Sequence, residues 1–438
     1  MGKKRTVAVA LALLSACMLT ACGSDQESDK KGAASSTEST DTGSSNTESA
    51  KADNSKTSDV THIEFFQMKK EAVDTVDYLI SEFEKQHPEI DVEQVTVPDG
   101  ETVLMTRAAA DDLPDIFTHY PIDANFTNFV KEGKVLDITG KPCTENIDPE
   151  YLKSAEIDGK NYIAPISVEY NGIYYEENSF KEKGYEVPET WGDLVALADK
   201  MKENGETPFI LSNKDGWTTS YLWTGIMTKD MGSYKDFYED MKAGKDSFSQ
   251  NPIAKTTLEK AKWVIDNAQN DSISVSYDQA ITDFVNGKGM MMPSGSFVLP
   301  SLQSANPDAS FKIFPWPTDT GETKETVRVD WAIAAGKNSN DNKEAVDTFM
   351  EYLTSTEAAQ IFSDRDHSLS AIKGVVPDIP EAQKVVDSVE KNGVLDAVAP
   401  PPGFEQEKRA ELQELVMDGD VTKCLNKLDE IWKELTAE

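Results

Sequence analysis

Val60-Thr61-His62-Ile63-Glu64-Phe65-Phe66 is followed by apolar residues at Val73, Val76, Leu79, Ile80 and Phe83, with Tyr78 among them. Ile90-Asp91-Val92-Glu93-Gln94-Val95-Thr96-Val97 comes next. The first run is rich in β-formers and reads as a strand. The middle set recurs at three- and four-residue steps, which puts one apolar stripe on a helix. The last run is a second strand. Strand, helix and strand in so short a stretch make a βαβ unit, which implies a parallel sheet with a right-handed crossover. The fold class that follows is α/β. Pro114-Asp115-Ile116-Phe117 adds a short buried strand that ends at His119-Tyr120.

Further along, Ala345, Val346, Phe349, Met350 and Leu353 share one helical face, and Val421, Leu425, Leu428, Ile431, Trp432 and Leu435 share another. Pro400-Pro401-Pro402-Gly403 is a stiff connector between these helices. No internal repeat is present.

The chain starts Met1-Gly2-Lys3-Lys4-Arg5 and turns apolar from Thr6 to Leu14. A basic start, a short apolar stretch and small residues make a secretory signal. The stretch falls short of the ~20 apolar residues of a membrane span. Leu19-Thr20-Ala21-Cys22 resembles a lipobox, in which cleavage precedes the cysteine and its thiol takes a diacylglycerol. Leu14-Ser15-Ala16-Cys17 also fits, but Met18-Leu19 follow it, whereas the residues after Cys22 are polar. The expectation is therefore a signal peptide over 1–21 and lipidation of Cys22.

Ser24 to Asp59 contains no Val, Ile, Leu, Met, Phe, Tyr or Trp. It can bury nothing to offset its ordering entropy, so 22–59 reads as a disordered tether. As a flexible coil of ~36 residues it would span roughly 30–35 Å. A tether of this kind suits the outer face of a cytoplasmic membrane, in a cell with no outer membrane to confine the protein.

The 438 residues carry a formal charge of −35. The length beyond the tether exceeds one core and implies two domains. Nucleic acid is excluded as a partner, because neutralising phosphates needs clustered Lys and Arg. Cys143 and Cys424 would remain after processing. They leave two readings open, one disulfide or two buried thiols. His62, His87, His119 and His367 have no ligand spacing, and neither a metal nor a cofactor is expected. No phosphate loop, nucleophile elbow or zinc-protease box occurs.

Four stretches together carry a resemblance. Gly159-Lys160-Asn161-Tyr162-Ile163-Ala164-Pro165 is followed by Gly172-Ile173-Tyr174-Tyr175 and by Pro188-Glu189-Thr190-Trp191-Gly192-Asp193-Leu194. Phe284-Val285-Asn286-Gly287-Lys288-Gly289-Met290-Met291 precedes Ser294-Gly295-Ser296-Phe297. Asp330-Trp331-Ala332-Ile333-Ala334 precedes the helix ending Tyr352-Leu353, and the leading βαβ runs into Leu113-Pro114-Asp115-Ile116. In order and spacing these resemble the extracellular solute-binding proteins of ABC importers, in the large sugar-binding family that includes maltose-binding protein. Glu176 stands where that family usually has Asn, and Phe297 where it usually has Trp.

The resemblance implies a two-lobe periplasmic-binding-protein-like fold with a hinge and an interlobe cleft. Lobe 1 would comprise 60–167 and 316–370, and lobe 2 would comprise 168–315 and 371–438. It implies a lipid-anchored monomer that captures a carbohydrate, most simply an oligosaccharide, and delivers it to ABC permease subunits without chemistry. A surface sensor or adhesion lipoprotein is the alternative. A glycoside hydrolase would need two carboxylates about 5–10 Å apart, and Glu169 with Asp330 is the pair to inspect.

A sugar shows hydroxyls on its edges and C–H patches on its faces. Charged groups bond the edges most strongly and rings cover the faces. Lys69 follows the first strand and is a hydroxyl donor or a surface lysine. Tyr120 follows His119 at the end of the Asp115 strand. Glu169, with Tyr170 beside it, sits at the hinge, where the matched position in maltose-type proteins contacts sugar. Trp217 lies in a Gly-containing loop and aligns with a stacking aromatic, whereas Trp223 reads as core. Ser294 and Ser296 follow the three-methionine strand. Asp330 and Trp331 leave another strand, Trp331 as a stacking platform, and Phe404 matches a further cleft aromatic. Arg365-Asp366-His367 reads better as a surface turn than as part of the cleft.

Overall fold

The computed structural model describes residues 60–437, apart from 122, 233, 322–326, 376–377, 384 and 386–399. The signal, Cys22 and the tether lie outside the described residues.

The opening stretch folds as its pattern dictates. Strand β1 (Thr61–Phe66) pairs in parallel with β2 (Ile90–Val95) across helix Val73–Gln86. The helix buries Val76, Leu79, Ile80 and Phe83 against the sheet. Strand β3 (Ile116–Thr118) lies parallel on the other side of β1. A small hairpin follows, β4 (Glu156–Ile157) with β5 (Lys160–Asn161).

The thirteen-residue strand β6 (Ala164–Glu176) organises the rest. Its first half pairs antiparallel with β9 (Val327–Ala335) and with β10 (Leu369–Ser370). Its second half pairs antiparallel with β7 (Met291–Gly295) and β8 (Phe311–Pro315). The three-methionine run is thus largely a buried strand, as its composition suggests.

Two sets of cores sit on either side of this crossing. Ile163, Ala164 and Ile166 of the β6 segment pack with β1, β3 and helix Lys343–Leu353, whereas Val168, Tyr170, Ile173 and Tyr174 pack with residues 194–316. In β9, Val327 belongs to the second set and Trp331 to the first. Beyond β10, Ile372 packs with the first set and Ile379 with the second, which makes a third passage between them. The molecule is a two-lobe α/β fold with three connections.

Helices Phe404–Asp418 and Val421–Thr436 close the second lobe. Cys143 and Cys424 are both buried and free, one in each lobe's core, so the thiol reading holds over the disulfide.

The crossing is irregular where it matters. Ser167 pairs with Trp331 and Val168 with Val329, which leaves Asp330 as an extra, unpaired residue in β9. Such a bulge re-aims a side chain. Among the described residues, no helix is long and apolar enough to cross a membrane.

Candidate functional site

The loops after β1 and β3 lie at the carboxyl ends of parallel strands, where α/β sheets place ligands. The first carries Lys69 and Glu71, the second His119 and Tyr120. The Lys69 amide donates to Oε1 of Gln67 at 2.8 Å, which fixes the turn. Its ammonium then reaches the Asp330 bulge, donating to Oδ2 at 2.6 Å, and Oδ2 of Asp366 at 2.8 Å. Lys69 is therefore a buried ion-paired lysine, not a surface one.

Asp366 ends helix Thr356–Asp366 and is 1% exposed. This corrects its reading as a surface turn. Burial would lower the Lys69 pKa, but Asp330, Asp366 and Glu71 outweigh it and hold the ammonium well above its usual range. Burial pushes Asp366 up to about 6 and Glu71 up to about 7, against the pull of Lys69 in each case. Several carboxylates share one ammonium here, so not all are fully compensated.

Glu169 and Arg328 face each other across β6 and β9 in direct register. Directly opposed residues put their side chains on one face, and Nε of Arg328 donates to Oε1 of Glu169. The guanidinium also lies 4.9 Å over the Tyr221 ring. Burial lifts Glu169 to about 7 although Arg328 opposes it. Oε2 of Glu169 is buried with no partner among the described residues.

The facing wall is aromatic. Trp217 sits 5.1 Å from Tyr277 and 6.0 Å from Phe297, and Tyr221 lies 5.6 Å from Phe297. Trp217 is in the first turn of helix Gly216–Met231, not in a loop. Asp215, just before that helix, accepts from the Tyr277 amide at 2.6 Å and so ties two helix starts together. Gly295 is required by the packing, because a Cβ there would lie 2.3 Å from Phe297 and 2.4 Å from the Tyr221 hydroxyl. Ser294 and Ser296 are buried beside this cluster, and Oγ of Ser296 has no partner among the described residues.

Tyr120 joins the two walls. It is 41% exposed, yet burial raises its phenol pKa, and Asp330 and Glu169 add to the shift. Solvent reaches a ring that protein surrounds, as in a cleft. Across the gap, the Tyr277 phenol feels Glu71 and Lys69. His119 is buried and accepts from the Tyr120 amide at 2.9 Å, and burial lowers its pKa. A small cavity lies between Met68, Lys69, Thr118, His119, Tyr120, Asp330 and Trp331. Its 10 Å³ is about the room of one water, so a sugar would need the lobes to part.

Two expected stacking residues are core residues instead. Trp331 is 1% exposed and stacks on Phe362 at 4.3 Å, with Phe65 at its edge. Phe404 is fully buried between Phe248 at 5.6 Å and Trp432 at 5.3 Å. Neither has a ring face left for a ligand. Trp223 is core, donating to Oγ1 of Thr257 at 3.2 Å, as its helical position suggests. The structure thus gathers Lys69, Tyr120, Glu169 and Asp330 about the crossing, and Trp217, Ser294 and Ser296 with the aromatic cluster. It adds Glu71, Arg328, Asp366, Tyr221, Tyr277 and Phe297. Of these, Phe297 carries a signal in sequence, and Asp366 only the weak one of a polar turn.

Residues 69–360 match the family model described as bacterial extracellular solute-binding protein. The multiple sugar-binding protein of Streptococcus mutans serotype c is 32% identical over 334 residues, covering 75% of this chain and 79% of its own. The melibiose/raffinose/stachyose-binding protein MelE of Bacillus subtilis is 24% identical over 322 residues, 70% of this chain and 72% of its own. Among solved structures, RafE in complex with raffinose superposes with a TM-score of 0.77 at 25% identity, covering 86% of this chain and 100% of that one.

Proposed function

Because the chain belongs to the family of bacterial extracellular solute-binding proteins, we propose that it captures a neutral oligosaccharide between its lobes and hands it to the permease of an ABC importer. The observation that carries this reading is a wall of hydroxyl-bonding charges facing a wall of rings at the lobe crossing. Lys69, Glu169 and Asp330 would bond sugar edges, Tyr120 and Trp217 would cover sugar faces, and Ser294 and Ser296 would border the second wall. The lobes would be 60–167 with 316–370 and 168–315 with 371–438, closing about the three connections.

Glu71, Glu169, Asp330 and Asp366 against Lys69 and Arg328 leave a surplus of carboxylates, which disfavours anionic sugars. Glu169 is tied to Arg328 and Asp330 to Lys69. Both pairs suit holding hydroxyls in place, and the proposed reading includes no hydrolysis. The protein would act as a monomer, held to the outer face of the membrane by a lipid on Cys22, with 24–59 as its tether.

Titration calorimetry tests the ligand. Raffinose, stachyose and melibiose head the panel because they appear in the names of relatives. Binding to at least one oligosaccharide is expected. Binding of an amino acid or peptide, with silence towards every sugar, would end the proposal. A Cys22→Ser variant should leave the membrane fraction, and one that stays there argues against that anchor.

A further inference from the structure

We infer that Arg328 is a specificity-determining residue of the cleft, its guanidinium fork reading two neighbouring hydroxyls of the bound sugar. This rests on the oligosaccharide reading above. The placement follows from the strand register. Arg328 stands directly opposite Glu169, two residues before the bulge that re-aims Asp330.

Glu169 is 2% exposed and lies beneath, while 41% of the Arg328 side chain remains open to solvent. The carboxylate takes Nε, and the Tyr221 ring supports the guanidinium plane at 4.9 Å. Tyr120, in the loop after β3, feels the same charge. Nothing among the described residues accepts from either terminal nitrogen of Arg328. The fork is therefore oriented, restrained and unspent.

A planar fork makes paired parallel hydrogen bonds, which a lysine cannot reproduce. Because Glu169 balances its charge, Arg328 acts here as a directional donor and does not draw in anions. The geometry it suits is two adjacent ring hydroxyls at the spacing of its terminal nitrogens. Epimers that turn one of them away would lose a bond and leave a donor unmatched.

Arg328→Lys and Arg328→Gln variants of the full chain test this, with raffinose and its monodeoxy analogues as probes and calorimetry as the readout. Both variants should bind raffinose about tenfold or more weakly, the loss expected of a charged hydrogen bond. Arg328→Lys should melt near the wild-type temperature without ligand. The loss should shrink for the analogues lacking a hydroxyl that the fork reads. Wild-type affinity in Arg328→Lys, or an equal loss for every analogue, would overturn the inference while leaving the sugar reading intact. A wild-type protein that ignores all sugars would remove both.

Discussion

One wall of the cleft is a knot of charges and the other is a set of rings, and they depend on the fold in opposite ways. Lys69, Asp330 and Asp366 pair with one another before any ligand arrives, at side-chain exposures of 7%, 6% and 1%. Trp217 is only partly buried among Tyr221, Tyr277 and Phe297. A buried charge knot is part of the structural frame, so breaking it should cost stability first. A ring with an open side should cost binding first.

The largest effect expected is at the knot. Lys69→Met would leave Asp330 and Asp366 buried without their cation, a change worth about 3–5 kcal/mol. Urea unfolding should show it as a large fall in midpoint. A midpoint within error of wild type would mean that water already enters the knot. Trp331→Ala should rank with it, at about 3–5 kcal/mol, because it opens a cavity between Phe65 and Phe362. If Trp331→Ala instead kept its stability and lost sugar binding, the ring would be a platform after all.

Gly295→Ala probes the other wall through its packing. The added methyl meets Phe297 and Tyr221 and should cost about 1–3 kcal/mol by overpacking. It should also weaken sugar binding, because it displaces the rings. Trp217→Ala should separate the two properties. Affinity should fall about tenfold, near 1.4 kcal/mol, while the unfolding midpoint moves less than in Trp331→Ala. A midpoint loss equal to that of Trp331→Ala would erase the distinction between the walls.

The same contrast explains what could be read in sequence. The βαβ opening was legible because helix period and strand pattern are local, and β1, helix Val73–Gln86 and β2 fall where that pattern puts them. Lys69 and Asp330 were legible as residues leaving strands, but not as each other's partners. Asp366 was not legible, since it meets a lysine 297 positions away and its own neighbours, Arg365 and His367, look like a solvated turn. Arg328 is not legible in sequence, because its role comes from register with Glu169 across the crossing, and register is a property of the sheet. The core positions of Trp331 and Phe404 are hidden in sequence for a related reason. A large aromatic after a strand or a proline run shows that burial is needed, but not on which side.

The smallest effect expected is a pH dependence, and its sign is diagnostic. Glu71 and Glu169 are raised to about 7 and Asp366 to about 6, each mainly by burial. A carboxyl whose folded pKa exceeds its unfolded value binds protons more tightly in the native state. Its favourable contribution is complete below the unfolded value, near 4, and fades as pH rises through the folded value. The unliganded protein should therefore lose stability between about pH 4 and pH 7. Self-repulsion in a chain of charge −35 acts in the same direction, so the slope alone does not isolate the site. Glu71→Gln removes one of these carboxyls and little of the net charge. Its melting temperature should vary less across that range than the wild type's. Parallel curves for the two proteins would mean that Glu71 ionises normally, and that the charged wall is more open to water than its neighbours' burial implies.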